Sequence, residues 1–142
     1  MPKPFITLAI GLLLALVLFG CDIFSTLDFS DAKGEWTYPS ITQIGAVAVH
    51  EVSLSVMGDS KDEVFLDIRW TRDTDDEYFL YMANGAMDGD TFTGTYRLNS
   101  DWDTIHNITV KFTKSGDQLK IECSGTGGLN GITLSGGVLA DV

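Results

Sequence analysis

Residues 91–123 read TFTGTYRLNSDWDTIHNITVKFTKSGDQLKIEC, and they contain three runs of alternating apolar and polar side chains. Apolar side chains alternate with polar ones over residues 92–98, 108–112 and 119–123. An alternation of period two is typical of a strand that buries one face and exposes the other to water. Residues 114–117 (KSGD) separate two of these runs with turn-forming side chains, which indicates a hairpin. The stretch therefore predicts antiparallel strands that follow one another directly along the chain.

The same alternation continues on both sides of this stretch. It recurs over residues 52–56 and 64–70, and again over residues 132–138, with turns rich in Gly, Asp, Asn and Ser between the runs. A first strand near Trp36 brings the count to seven or eight strands, and their connections are short. We therefore predict an all-β domain over residues 34–142, a small antiparallel meander that is closed as a barrel or folded as a sandwich.

The N-terminus has a different character from the rest of the chain. Residues 1–4 carry the positive charge of Lys3, and residues 5–19 are almost entirely apolar and uncharged. Fifteen helical residues span about 22 Å, which is short of the roughly 30 Å hydrocarbon core of a bilayer. A signal helix is therefore expected before the β-domain, in preference to a permanent membrane span.

The apolar run ends in Leu18-Phe19-Gly20-Cys21, which resembles the lipobox of bacterial lipoproteins. The resemblance rests on Leu18, on the small residue Gly20 and on the cysteine, whereas Phe19 is bulkier than is usual. It implies cleavage between Gly20 and Cys21, and lipidation of Cys21. Two or three acyl chains would then hold the protein at a membrane. The alternative is an ordinary secretory signal or a short anchor with a coincidental cysteine.

These features divide the chain into three parts. Residues 1–20 are a lipoprotein signal peptide, residues 21–33 are a lipidated tether and residues 34–142 are the β-domain. The expected location is the bacterial cell envelope, lipid-anchored and extracytoplasmic. Asp22 resembles the signal for retention in the inner membrane of enteric bacteria, but other lineages do not follow that rule. The sequence therefore leaves open whether the anchor lies in the inner or the outer membrane.

The charge of the chain excludes several partners. Its net charge is −11, and after loss of Lys3 with the signal peptide 8 basic and 20 acidic side chains remain, which gives −12. Such a surface repels phosphate backbones and anionic headgroups, so we expect no nucleic-acid binding and no attachment by a basic patch. With Cys21 lipidated, Cys123 has no disulfide partner, and its place in an alternating run indicates a buried small side chain.

Gly34-Glu35-Trp36 opens the regular region and resembles the Gly-x-Trp at the first strand of lipocalin-like barrels. That resemblance implies an up-and-down barrel that binds a small apolar ligand at its mouth. In that family a basic residue near the last strand packs on the tryptophan, whereas here no Lys or Arg follows Lys120.

Two aromatic positions are candidate binding residues. Trp102 lies between Asp101 and Asp103, outside any clean alternation, so it could be exposed and could stack on a sugar ring or anchor a protein partner. The alternative is that Trp102 closes one end of a barrel. Trp70 and the bulky run 78–82 could line a ligand cavity, or the run could be a central strand buried on both faces.

The sequence predicts neither a metal site nor a catalytic centre. His50 and His106 are the only histidines, whereas zinc takes three or four ligands. The acidic run 73–77 could attract Ca²⁺ but lacks the glycine of a calcium loop, so a solvated turn is preferred.

There is no Gly-x-Ser-x-Gly, and the glycine-rich residues 124–128 lack the lysine of a phosphate loop. We therefore expect no enzyme and no cofactor.

The function that remains is a non-catalytic binding or interaction domain on a membrane-anchored lipoprotein. The alternatives are a structural envelope component or an inhibitor of a secreted enzyme, and then a lipocalin-like carrier of a small apolar ligand. An enclosed apolar cavity would favour the carrier. A filled interior with an exposed Trp102 would favour a protein or glycan partner.

Overall fold

The computed structural model describes residues 27–140. The predicted signal peptide, and the predicted sites of cleavage at Gly20 and Cys21 and of lipidation at Cys21, lie outside these residues. The described part contains one short helix, nine strands and one turn of 3-10 helix (Gly127–Leu129). In chain order they are α1 (Phe29–Ala32), β1 (Gly34–Thr37), β2 (Gln43–Ile44), β3 (Val47–Ser60), β4 (Glu63–Arg72), β5 (Tyr78–Asp88), β6 (Thr91–Leu98), β7 (Asp101–Ser115), β8 (Gln118–Gly125) and β9 (Thr133–Leu139).

The strands form one antiparallel sheet that closes on itself. From β3 to β9 each strand pairs with the next along the chain, and β1 pairs with both β9 and β3. Eight strands therefore make a closed barrel, and β2 is an additional strand paired with the start of β3. The all-β meander is confirmed, and of the two arrangements left open by the sequence the barrel is the one observed. Closure satisfies the backbone groups that the edges of an open sheet would expose.

Closure depends on the length of β3. Its first residues pair with β2, whereas residues 53–56 pair with β1. Between these two parts the register with β4 shifts after His50, and Glu51 has a φ of +54°. Such a bulge bends a strand sharply, which lets β3 leave β2 and turn toward β1.

Side chains fill the inside of the barrel. Inward positions alternate along each strand, as the sequence indicates, and their side chains are almost completely removed from water. Burial of this apolar surface is the main source of stability for such a domain. The largest of the fully buried side chains are Tyr38, Leu54, Leu66, Ile68, Phe92, Tyr96, Ile108, Phe112, Leu119, Ile121, Leu129 and Leu134.

Helix α1 covers the end of the barrel at which β1 begins. Asp28 caps the helix in a capping box with Asp31, and Ala32 is completely buried. The indole N–H of Trp36 donates a hydrogen bond of 2.7 Å to the Ala32 carbonyl. A cation does lie over the Trp36 ring, but it is Lys114 of β7, 5.9 Å from the ring centroid.

The opposite end is covered by the 3-10 helix. Leu129 is buried, and its backbone N–H donates to the hydroxyl oxygen of Tyr96 over 3.1 Å. The same hydroxyl donates to the Thr126 carbonyl over 2.5 Å. Both ends of the barrel are thus closed by buried side chains.

Candidate functional site on the outer face of the barrel

Trp102 stands on the outside of the barrel, in an irregular part of β7. Tyr96 pairs with His106 and Leu98 pairs with Asp101, so the four residues from Trp102 to Ile105 lie opposite the single residue Arg97. These extra residues protrude as a bulge, and the side chains of Trp102 and Ile105 are 51% and 57% exposed. Trp102 therefore does not close the barrel, and the exposed position is the one observed.

Arg97 contacts both the indole and the backbone of Trp102. Its guanidinium carbon lies 5.3 Å from the centroid of the indole, and one guanidinium nitrogen donates a hydrogen bond of 3.0 Å to the Trp102 carbonyl. A cation this close to an aromatic face is attracted by the ring electrons. Beside it, Asp101 accepts a hydrogen bond of 3.0 Å from the Thr104 hydroxyl, and Asp103 is exposed. The bulge therefore presents an ordered indole flanked by two carboxylates.

The indole borders a groove of about 550 Å³, which we call the Trp102 groove. The register explains its composition, because outward positions of neighbouring strands stand side by side. Met57 pairs with Phe65, Asp67 with Met82, and Met82 with Arg97. The groove is lined by Met57, Phe65, Asp67, Met82, Ala83, Asn84, Thr95, Tyr96, Arg97 and Trp102.

The apolar lining of this groove is unusual for a surface. Met57 is 39% exposed and Phe65 is 40% exposed, and they are direct cross-strand neighbours. Together with Trp102 they place three large apolar side chains in contact with solvent around one depression. Clustered exposed apolar groups, unlike scattered ones, are typical of surfaces that bind a partner.

Asp67 lies half-buried among these side chains. Desolvation raises the pKa of its carboxyl, and the charge of Arg69 offsets part of that effect. Arg69 itself is engaged elsewhere: it donates to Glu35 over 2.8 Å and to the hydroxyls of Ser53 and Ser55. Within residues 27–140, the Asp67 side chain takes part in no hydrogen bond or ion pair. It is thus a carboxylate that has lost part of its water without gaining a partner from its own domain.

The structure does not bring Trp70 together with Trp102. Trp70 points inward, is 6% exposed, and packs on Tyr81 at 4.9 Å and on Phe79 at 6.2 Å between ring centroids. It borders a small cavity of about 210 Å³ near the end of β4. Trp70 therefore belongs to the core and lies apart from the outer face that carries Trp102, Asp101 and Asp103. The run 78–82 is not a central strand buried on both faces. Within it Tyr81 is buried, whereas Tyr78 is exposed.

A second cleft, of about 500 Å³, lies between residues 38–42 and the outer faces of β1 and β3. Its central cation, Arg69, is already paired with Glu35 and two serine hydroxyls. The Arg69 cation of this cleft therefore has its partners within the domain, whereas the Trp102 groove contains a half-buried carboxylate, Asp67, that has no such partner among residues 27–140.

The acidic turn after β4 is organised by Arg72. Its guanidinium binds Asp75 at 2.6 Å and Glu77 at 2.5 Å, and the hydrogen bond from Arg72 holds the pKa of Asp75 at about 2. His50 contacts Asp73 at 2.6 Å, and this hydrogen bond raises the pKa of His50. Across residues 27–140, no three His, Cys, Asp or Glu side chains are grouped closely enough to hold a metal ion.

The two histidines have different surroundings. His50 lies in an exposed pair with Asp73, whereas His106 stacks on the ring of Tyr96 at 5.0 Å. Cys123 is buried, and desolvation raises its pKa to about 12, so the thiolate form that reacts as a nucleophile is disfavoured.

Sequence reasoning found Trp102 and its two aspartates but missed Met57, Phe65, Asp67 and Arg97. One signal was available: Phe65 is a large apolar residue at an outward position of a clean alternation. Which outward residues become neighbours depends on the pairing of four strands, and that pairing is not visible in the alternation itself.

No helix within residues 27–140 is both long enough and apolar enough to cross a membrane. Comparison with protein-family models, with curated proteins and with solved structures finds no match to this chain.

Proposed function

We propose that this protein is a membrane-anchored, extracytoplasmic lipoprotein whose barrel is a non-catalytic binding module, and that it binds through the Trp102 groove. The observation that carries this proposal is the contrast between the two sides of the sheet. The inner side is filled by buried side chains, whereas the outer side exposes Trp102, Met57 and Phe65 around one depression.

The filled interior favours binding on the outside. A carrier of a small apolar ligand needs a cavity that encloses most of the ligand surface. In this barrel the space between the strands is occupied by side chains such as Phe92 and Phe112, and the ends are covered by Ala32 and Leu129. An apolar ligand would have to displace well-packed side chains, which costs free energy.

The position of the Trp102 bulge suits a tethered protein. The chain enters the barrel at the end where β1 begins, next to α1. Because successive strands run in opposite directions, the turn between β6 and β7 lies at the other end. A lipid on Cys21 would therefore hold the first of these ends toward the membrane and leave the Trp102 bulge pointing away from it.

Inhibition of a secreted enzyme is the second candidate. The bulge from Trp102 to Ile105 protrudes beyond the sheet, with Asp101 and Asp103 beside the indole. A protruding acidic loop with an aromatic tip has the shape and charge that fit a basic cleft. An inhibitor would bind through the same outer surface as the first candidate. The difference is that its binding would block the activity of the partner enzyme.

Site-specific photocrosslinking tests the proposal. A photoreactive amino acid is placed at position 102 of the full-length protein, and in a control protein at Thr113, an exposed outward residue of β7 outside the groove. We expect irradiation of intact cell envelopes to give a discrete adduct from position 102 and none from position 113. Equal adducts from both positions, or none from either, would contradict binding through the groove.

A further inference from the structure

The carboxylate of Asp67 makes no hydrogen bond and no ion pair within residues 27–140, and the charge of Arg69 offsets only part of its desolvation. It is half-buried at a point where the neighbouring outward side chains are Met82 on β5 and Ser55 on β3. Ser55 donates no hydrogen bond to it and instead accepts one from Arg69, at 3.0 Å. A partly desolvated charge of this kind weakens a domain unless something that binds there compensates it.

The surroundings of Asp67 define what could compensate it. Met57, Phe65 and Met82 line the groove with apolar atoms, and Trp102 borders it with an exposed ring. An alkyl chain with a cation at its tip matches this arrangement, because the chain would pack on the apolar atoms while the cation reaches the carboxylate. The indole is also a surface on which a guanidinium can stack, as Arg97 already does.

We propose that the Trp102 groove recognises a basic side chain of a partner protein, a Lys or Arg flanked by apolar residues, which forms an ion pair with Asp67. This inference rests on the proposed function and deepens it by naming the chemistry of the partner. The net charge of the chain, −11, supports the choice, because a strongly acidic protein attracts basic partners over a distance of several ångströms.

Two cations of the domain itself bear on this site. Arg69 neighbours Asp67 along β4 but is neutralised by Glu35 at 2.8 Å. Arg97 lies on the far side of Met82 and is turned toward the Trp102 carbonyl. Neither is within ion-pair distance of Asp67.

A glycan fits the lining less well than a basic peptide does. Sugar hydroxyls need hydrogen-bond partners when they lose water, and the side chains of Met57, Phe65 and Met82 offer none that compares with an amide or a hydroxyl. Of the polar residues on the same face, Asn84 and Thr95 contact each other at 3.4 Å, and Arg97 donates to the Trp102 carbonyl, which leaves Asp67 without a partner among residues 27–140. The apolar walls together with one half-buried carboxylate therefore favour a protein.

Two peptides that differ only in charge provide the test. The probe is acetyl-Ala-Leu-Arg-Leu-Ala-amide, and the control replaces Arg by citrulline, which has nearly the same shape but no charge. The protein is the full chain as extracted from membranes in detergent micelles, with empty micelles as blank. Trp102 is the reporter, because Trp36 and Trp70 are buried and the emission of an exposed indole moves to shorter wavelength when a ligand covers it.

We expect the arginine peptide to bind at least roughly tenfold more tightly than the citrulline peptide, as is typical of a charge-assisted hydrogen bond. Asp67→Asn removes this preference. Asp117→Asn removes the same charge from an exposed turn between β7 and β8 and leaves the preference intact. The far-ultraviolet circular dichroism of both variants is compared with that of the parent, so that loss of fold is distinguished from loss of binding.

Equal affinity for the two peptides would overturn the inference, and so would a preference that survives Asp67→Asn. Failure of the arginine peptide to bind, while position 102 still gives a photoadduct in cell envelopes, would also overturn it but leave the proposed function standing. A photoadduct between position 102 and a glycan would likewise overturn the inference and leave the proposed function standing. Loss of both peptide binding and the photoadduct would reject the proposed function as well.

Discussion

Single residues determine the character of the outer surface. Arg97 fixes the indole of Trp102 from below, and Asp67 supplies a carboxylate with few stabilising contacts of its own. Several other charged groups are paired within the domain, as Arg69 is with Glu35 and Arg72 with Asp75. Exposed ion pairs of this kind contribute little to stability, but they leave their members unavailable to a partner. The Trp102 groove differs because the Asp67 carboxylate makes no ion pair within residues 27–140 and is available to a cation of a partner.

The pair formed by His50 and Asp73 leads to a prediction on pH. The hydrogen bond to Asp73 raises the pKa of His50 above its usual value of 6.5, with smaller contributions from Glu51 and Asp76. Because the folded-state pKa is the higher one, the pair stabilises the fold fully below pH 6.5. That stabilisation is lost as pH rises through the folded-state pKa.

We expect NMR titration to place the pKa of His50 above 6.5 in the parent protein and closer to 6.5 in Asp73→Asn. The free energy of unfolding of the parent should fall as pH rises through the folded-state pKa of His50, and this fall should be smaller in the variant. The pair is exposed, so this change is small. An unchanged His50 pKa in Asp73→Asn would show that Asp73 is not its partner in solution.

Individual strands show how far sequence reasoning reaches. Their alternation was sufficient to predict β4, β6 and β8, because each buries one face continuously. It was not sufficient to predict that β3 pairs first with β2 and then with β1 along the same edge, since that depends on the bulge at Glu51. The same holds for the candidate site. The local sequence allows the prediction that Trp102 is exposed. That Asp67 and Arg97 lie near it depends on the register of the folded sheet.

Close approach of strands is another property that alternation does not reveal. Gly85 of β5 and Gly94 of β6 stand opposite each other. A Cβ atom on Gly94 would lie 2.1 Å from the Asn84 carbonyl oxygen, and one on Gly85 would lie 2.1 Å from that of Thr93. Glycine is needed at this pair so that the two backbones can approach where the sheet bends.

Two adjacent residues of β4 provide a prediction at this scale. Leu66 points inward and is completely buried, whereas Phe65 points outward into the groove. Leu66→Ala should lower the free energy of unfolding by about 2–5 kcal/mol, because it leaves a cavity in a packed core. Phe65→Ala should lower it by less than about 1 kcal/mol, because that side chain already contacts water.

Chemical denaturation of the two variants measures both values. Phe65→Ala should also weaken binding of the arginine peptide while Trp102 stays exposed. Equal destabilisation by the two substitutions would show that Phe65 belongs to the core and not to a binding surface.

The whole molecule combines a closed, filled barrel with one distinctive outer face. The capping of both ends by α1 and the 3-10 helix leaves the outside of the sheet as the surface available for recognition. The entry of the chain beside α1 and the bulge at Trp102 lie at opposite ends of the barrel. Anchoring at Cys21 and binding at Trp102 are therefore compatible, since attachment at one end leaves the other end accessible.

The account depends first on the lipid anchor, which the sequence predicts from Leu18-Phe19-Gly20-Cys21. The most direct measurement is the intact mass of the protein recovered from membranes, for the parent and for Cys21→Ala. We expect loss of residues 1–20 and a gain of two or three acyl chains in the parent, both abolished by Cys21→Ala. An unprocessed parent chain, or a cleaved chain without lipid, would contradict it.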